Sequence, residues 1–181
     1  MLKKLWIGAL CLLLCGCSPA GVDPEAIRSY YAAAGDCAYT FRVATSGAAA
    51  MTFELRLQRQ GDTDLVTILA PEGVAGISAR VGGDRTLLEY RGAVAETLLP
   101  GVPGFTPCDG LTGLLDDLAA ATPASCALVP TGEGESILLS YLCRPAQGME
   151  GEKQVWLTPD YRLQRAEFFL AGSLVMTLEV K

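Results

Sequence analysis

Apolar and polar residues change their period three times along this chain. Asp23-Pro24-Glu25 places a capping side chain ahead of a proline at the first helical position, which predicts a helix over 24–34 ending at Gly35. After it the period becomes two. Met51, Phe53, Leu55 and Leu57 alternate with Thr52, Glu54, Arg56 and Gln58, as in a strand with one dry and one wet face. Turn residues Gln60-Gly61-Asp62 lead into strands at 65–70, 76–81 and 86–91, with Gly82-Gly83-Asp84 as a hairpin turn. The rhythm breaks over Pro100 to Pro107. Asp109 to Ala121 then returns to helical spacing, with Leu111, Leu114, Leu115 and Leu118 on one side. Strands resume at 126–129, 136–144, 152–158, 163–170 and 174–180, the last three joined by turns at 158–160 and 171–173.

This order predicts a mainly β, α+β protein: a strongly curved antiparallel sheet or incomplete barrel of about 9–11 strands, with an N-terminal helix and an inserted helix on the concave side. The leucine side of the inserted helix and the apolar face of the sheet then bury one another.

The first residues follow a different logic. Lys3 and Lys4 precede an apolar run of about ten residues, the length of a signal-peptide core and about half of a membrane span. The run closes on Leu14-Cys15-Gly16-Cys17, which resembles the bacterial lipobox. That resemblance implies a lipoprotein signal over 1–16, acylation of Cys17, a tether over 17–23, and a single folded domain over 24–181. The implied location is the extracytoplasmic face of the cell membrane, or the outer membrane in a Gram-negative cell, because Ser18 is not the Asp of an inner-membrane retention signal. Two or three acyl chains make a stable anchor where one does not. Cys11 and Cys15 leave with the signal.

Composition narrows the chemistry. Removal of residues 1–16 takes two lysines and no acid, so the formal charge moves from −6 to −8, which makes nucleic acid a poor partner. Histidine is absent, so Ser-His-Asp and Cys-His catalysis lack their usual base. Cys37, Cys108, Cys126 and Cys143 remain in the mature chain. They show none of the short C-x-x-C spacing of zinc sites, and outside the cytoplasm their even number makes them disulfide candidates, in any of three connectivities. Neighbouring Asp116 and Asp117 diverge by about 100° on a helix and read as a solvated face. Glu133 and Glu135 sit in a Gly-rich turn, where they read as exposed. No metal, cofactor or catalytic site is expected.

What remains is apolar surface. Phe53, Leu55, Leu57, Ile77, Val81, Leu139, Tyr141, Trp156, Phe168, Leu174, Met176 and Leu178 are the candidates for the concave face, as the lining of a hydrophobic cavity or as plain core, with the outward face equally open to Trp156 and Phe168.

The order of helix, strands over 36–91, inserted helix and closing meander resembles the LolA/LolB-like lipoprotein carrier family. The stretches "LAPEGVAGISARVGGDRTLLEYRG" (69–92) and "VWLTPDYRLQRAEFFLAGSLVMTLEV" (155–180) resemble small envelope and spore-germination lipoproteins of Gram-positive bacteria. The resemblance implies an incomplete barrel lidded by helices over an apolar cavity, and a non-enzymatic, monomeric module. Such a module would bind an envelope protein partner, with a hydrophobic ligand as a further occupant. The alternative it implies is a lipid or lipoprotein carrier that takes acyl chains into the cavity, a role that fits a permanently anchored protein less well.

Overall fold

The computed structural model describes residues 22–47, 50–82, 85–97, 105–132, 134–143 and 149–181. Cys17, the signal segment, Gly83, Asp84, Glu133 and the 98–104 segment lie outside the described residues.

Helix α1 (Pro24–Ala33) begins where the sequence places it. The Asp23 carboxylate accepts a hydrogen bond from the Glu25 N–H at 2.9 Å, and Pro24 occupies the first turn. Ile27 and Tyr31, four residues apart, form its buried side, and the chain turns away at Gly35 with φ +56°. Val22, just ahead of the Asp23 cap, packs against the core.

Six strands follow as a meander: β1 (Cys37–Thr45), β2 (Thr52–Gln60), β3 (Thr63–Ala70), β4 (Ser78–Gly82), β5 (Arg85–Tyr90) and β6 (Ala93–Thr97). Helix α2 (Pro107–Ala120) comes next, and a second meander closes the chain: β7 (Ser125–Thr131), β8 (Gly134–Cys143), β9 (Gly151–Leu157), β10 (Leu163–Leu170) and β11 (Ser173–Val180). The pairing of β1 with β11 joins the two meanders into one antiparallel sheet of order β6-β5-β4-β3-β2-β1-β11-β10-β9-β8-β7. The sheet is not closed, so β6 and β7 are its two edges. The connection from β6 to β7 must therefore cross the whole width of the sheet. Helix α2, about 21 Å long, makes much of that crossing on the concave side, with α1 packed beside it.

Two elements differ from the periodicity. β6 (AVAET) is exposed over 93–96 and has no wet and dry alternation there; the hairpin turn ahead of it sets it in place, with Arg91 at φ 50° and Gly92 at φ 83°. Helix α2 starts two residues earlier than its leucine spacing indicates. Thr106 is its cap, accepting from the Asp109 N–H at 3.2 Å, and Pro107 is its first residue rather than part of the break.

The core lies between α2 and the sheet. Leu111, Leu114, Leu115 and Leu118 are at most 3% exposed, and they meet Phe41, Val43, Leu57, Leu139, Val155, Phe168, Met176 and Leu178. Burial of each leucine contributes about 1.5–3 kcal/mol. Gly110 permits this approach, since a Cβ there would lie 2.5 Å from the Met176 Cε.

Gly151, at the start of β9, has a stricter neighbourhood. A Cβ there would lie 2.6 Å from the Phe105 ring and 2.8 Å from the Cys143 Sγ. Because Phe105 is itself held edge-on against Phe168, Gly151→Ala is expected to destabilise the fold by about 1–3 kcal/mol. A urea midpoint equal to that of the unsubstituted protein would contradict this packing.

Candidate functional site

The concave face divides into a filled part and an open part. Leu57, Leu139, Tyr141, Phe168, Met176 and Leu178 are at most 5% exposed and belong to the packed core beneath α2. Phe53, Leu55 and Ile77 line a groove of about 210 Å³ between β2–β5 and the first turn of α2. Its other walls are Val66, Ile68, Ala79 and Leu88 from the sheet, with Thr106, Pro107 and Cys108 from the helix. Register explains the cluster: Leu55 pairs with Ile68, Leu57 with Val66, Val66 with Ala79 and Ala79 with Leu88, so one face of four strands is apolar in adjacent positions. The sheet residues of the groove absent from the sequence reading, Val66, Ile68, Ala79 and Leu88, lie within predicted strands, where a period of two was the available signal.

Three candidates lie elsewhere. Val81 borders a separate polar hollow of about 270 Å³ with Arg59, Asp64, Thr112 and Asp116. Trp156 is on the convex face, where the Arg165 guanidinium sits 5.2 Å from its ring centroid; Lys153, Val155 and Leu157 are the buried positions of β9. Leu174 is 39% exposed because β11 carries a bulge: Phe168 pairs with Met176 but Phe169 with Leu174, so the extra residue Val175 shifts the facing of what precedes it.

Asp116 and Asp117 do not form a plain solvated face. Asp116 accepts from Arg59 at 2.8 Å, and Arg59 also makes a bidentate pair with the buried Asp64 at 2.7 and 2.8 Å. Asp117 accepts from the Lys153 Nζ at 2.6 Å, and that ammonium lies 5.8 Å from the Phe168 ring centroid. The two aspartates thus tie α2 to β2 on one flank and to β9 on the other. Hydrogen bonding to Asp64 raises the Arg59 pKa further.

The four disulfide candidates, Cys37, Cys108, Cys126 and Cys143, are free cysteines in this structure. Cys126 pairs with Leu139, and Cys143 lies four residues farther along β8. That is roughly 13 Å at about 3.3 Å per residue, beyond the reach of about 7 Å for a bridge. Among the described residues no group of three His, Cys, Asp or Glu is placed to hold a metal ion.

Burial raises all four thiols, Cys108 to about 12 from the ordinary 9, and outweighs its place in the first turn of a helix. It also raises the phenols of Tyr31, Tyr39 and Tyr141. A group kept neutral in this way stabilises the fold in full below its unfolded pKa and loses that contribution as pH rises through the folded value. Stability is therefore expected to fall as pH climbs from about 9 to 12. Native Cys108 should also alkylate with iodoacetamide at pH 8 at least about tenfold more slowly than in urea, since burial suppresses its thiolate. Equal rates by peptide mapping would mean that the groove wall is open to water.

An open eleven-stranded antiparallel sheet carries two helices in its concavity, with one meander on either side of the inserted helix. This is the open, curved antiparallel sheet with helices on its concave side that the sequence predicts. No family model matches the chain, and no curated protein matches its sequence. Among solved structures it is similar to an uncharacterized conserved protein from Thermus thermophilus, with 14% identity over 84% of this chain and 80% of that one and a TM-score of 0.50. It is also similar to a LolA superfamily protein from Nitrosomonas europaea, with 13% identity, 89% and 92% coverage and a TM-score of 0.44. A third is one chain of the complex between the CwlD amidase and the GerS lipoprotein from Clostridioides difficile, with 12% identity, 92% and 97% coverage and a TM-score of 0.43. At these identities the likeness is one of fold.

Proposed function

We propose that this LolA-like protein is a non-enzymatic, extracytoplasmic binding module, held at the membrane by acylated Cys17, whose groove receives an apolar group from an envelope protein partner. The observation that carries the reading is the groove: a hollow of about 210 Å³ walled by Phe53, Leu55, Val66, Ile68, Ile77, Ala79 and Leu88. Small-molecule sites commonly occupy about 300–1,000 Å³, so a single bulky side chain fits this hollow better than a whole lipid. The rest of the concave side is filled by the leucines of α2, which a carrier of several acyl chains would have to displace. The carboxylates Asp64, Asp116 and Asp117 are engaged by Arg59 and Lys153, which supports a binding role over acid–base chemistry.

Leu88→p-benzoylphenylalanine, photolysed in cells producing the full chain, tests the reading. A discrete cross-linked protein is expected. Adducts to acyl lipid alone would transfer the groove to the carrier reading, and no adduct at all would overturn both.

A further inference from the structure

The two edges of the sheet differ in kind. β7 carries Pro130, which has no N–H to offer an incoming strand, a common way of blunting an edge. β6 reads Ala93-Val94-Ala95-Glu96-Thr97, with no Pro, Lys or Arg; residues 93–96 are exposed, and Val94 is 62% exposed. Among the described residues no strand pairs with its outer side. An edge strand of this kind offers in-plane N–H and C=O groups to another extended chain.

The register ties this edge to the groove. Ala95 stands opposite Leu88, and Leu88 opposite Ala79, two of the groove walls. Ala93 shares the face of Ala95, so small side chains separate the edge from the apolar hollow on the concave side. A strand added beside β6 would run about 4.8 Å from it and turn every second side chain to the concave side. A leucine, methionine or phenylalanine there can lean over the Ala95 methyl toward Leu88, where a larger residue at 95 would block it.

We propose that the partner presents an extended peptide segment that adds to β6 as a twelfth strand and sends one apolar side chain over Ala95 into the groove. Backbone hydrogen bonds to β6 supply affinity and the side chain supplies selectivity. The inference rests on the groove-binding reading above and adds the form of the partner and the edge it uses.

The test uses a phage-displayed library of random twelve-residue peptides, selected on the full chain in detergent, with the best sequence then synthesised. Alternating apolar residues are expected in it, with hydrogen exchange slowed at the β6 amides and unchanged at β7. Ala95→Lys should weaken binding at least tenfold, while Thr131→Lys on the other edge leaves it unchanged; thermal melts of both variants report that they fold. Failure to select any peptide, protection at β7, or equal binding to the Ala95→Lys variant would overturn strand addition. Binding lost in Leu88→Arg but indifferent to Ala95→Lys would sink this inference and leave the groove reading standing, whereas indifference to both variants would sink both. Concentration-dependent protection of β6 without peptide would make a second copy of the chain the occupant, and would also overturn the proposal.

Discussion

Asp117→Ala is expected to destabilise the domain by about 3–5 kcal/mol, the usual cost of removing one partner from a buried ion pair. The size follows from Lys153, not from the aspartate. The Lys153 side chain is 7% exposed and Asp117 29%, so the substitution strands a buried ammonium beside the Phe168 ring. The adjacent Asp116→Ala should cost about 1 kcal/mol or less, because Asp116 is 66% exposed and Arg59 keeps its bidentate bond to Asp64. Asp117→Leu combined with Lys153→Met should recover most of the loss, since well-packed apolar replacements of buried pairs are often neutral. Urea unfolding of the four proteins measures the series. An Asp117→Ala loss below about 1 kcal/mol would show that Lys153 reaches water in solution, and the clamp between α2 and β9 would then be discarded.

Cys17→Ser is expected to move the protein from the membrane fraction to the soluble one. Each buried methylene of an acyl chain contributes about 0.8 kcal/mol and one chain alone binds only marginally, so loss of the whole acylated cysteine leaves nothing comparable in its place. Among the described residues no helix is long and apolar enough to cross a membrane. Fractionation with and without the substitution reads the effect, and mass spectrometry of the mature N-terminus shows whether acyl chains are attached at residue 17. Retention of the Cys17→Ser protein at the membrane would remove the anchor from the proposed function.

Much of the fold was legible because its signals are local. Pro24 after Asp23 and the alternation from Met51 to Leu57 each describe residues that touch their own neighbours. β6 was not legible: both of its faces are exposed, so no alternation marks it, and only its pairing with β5 and the Arg91-Gly92 turn make it a strand. Leu174 was misplaced and the face of Trp156 left open because hydrophobicity does not say which face a strand residue takes. An Arg165 across the strand pair makes the convex face a good place for an indole, and one bulged residue, Val175, turns Leu174 outward.

The candidate site was legible in kind and less so in place. Alternating strands and a leucine-sided helix imply an apolar concavity, and Phe53, Leu55 and Ile77 do line the groove. The other nine candidates are core, convex surface or the wall of a polar hollow, because where α2 lies decides what is filled and what is left open. Asp116 and Asp117 looked alike as neighbours on a helix; the strands on either side of α2 made one a surface pair and the other the partner of a buried lysine.

By itself the sequence determined the curved antiparallel sheet with its two helices and the apolar character of the concave face, since these follow from periods of two and 3.6 and from caps that act within a few residues. The absence of histidine and the lipobox-like Leu14–Cys17 likewise required no structure to be read. The tertiary structure alone decided that β1 meets β11, leaving β6 and β7 as edges, and that α2 covers one half of the sheet while a groove stays open over β2–β5. Those outcomes depend on contacts between residues far apart in the chain, whose register and bulges no local pattern encodes.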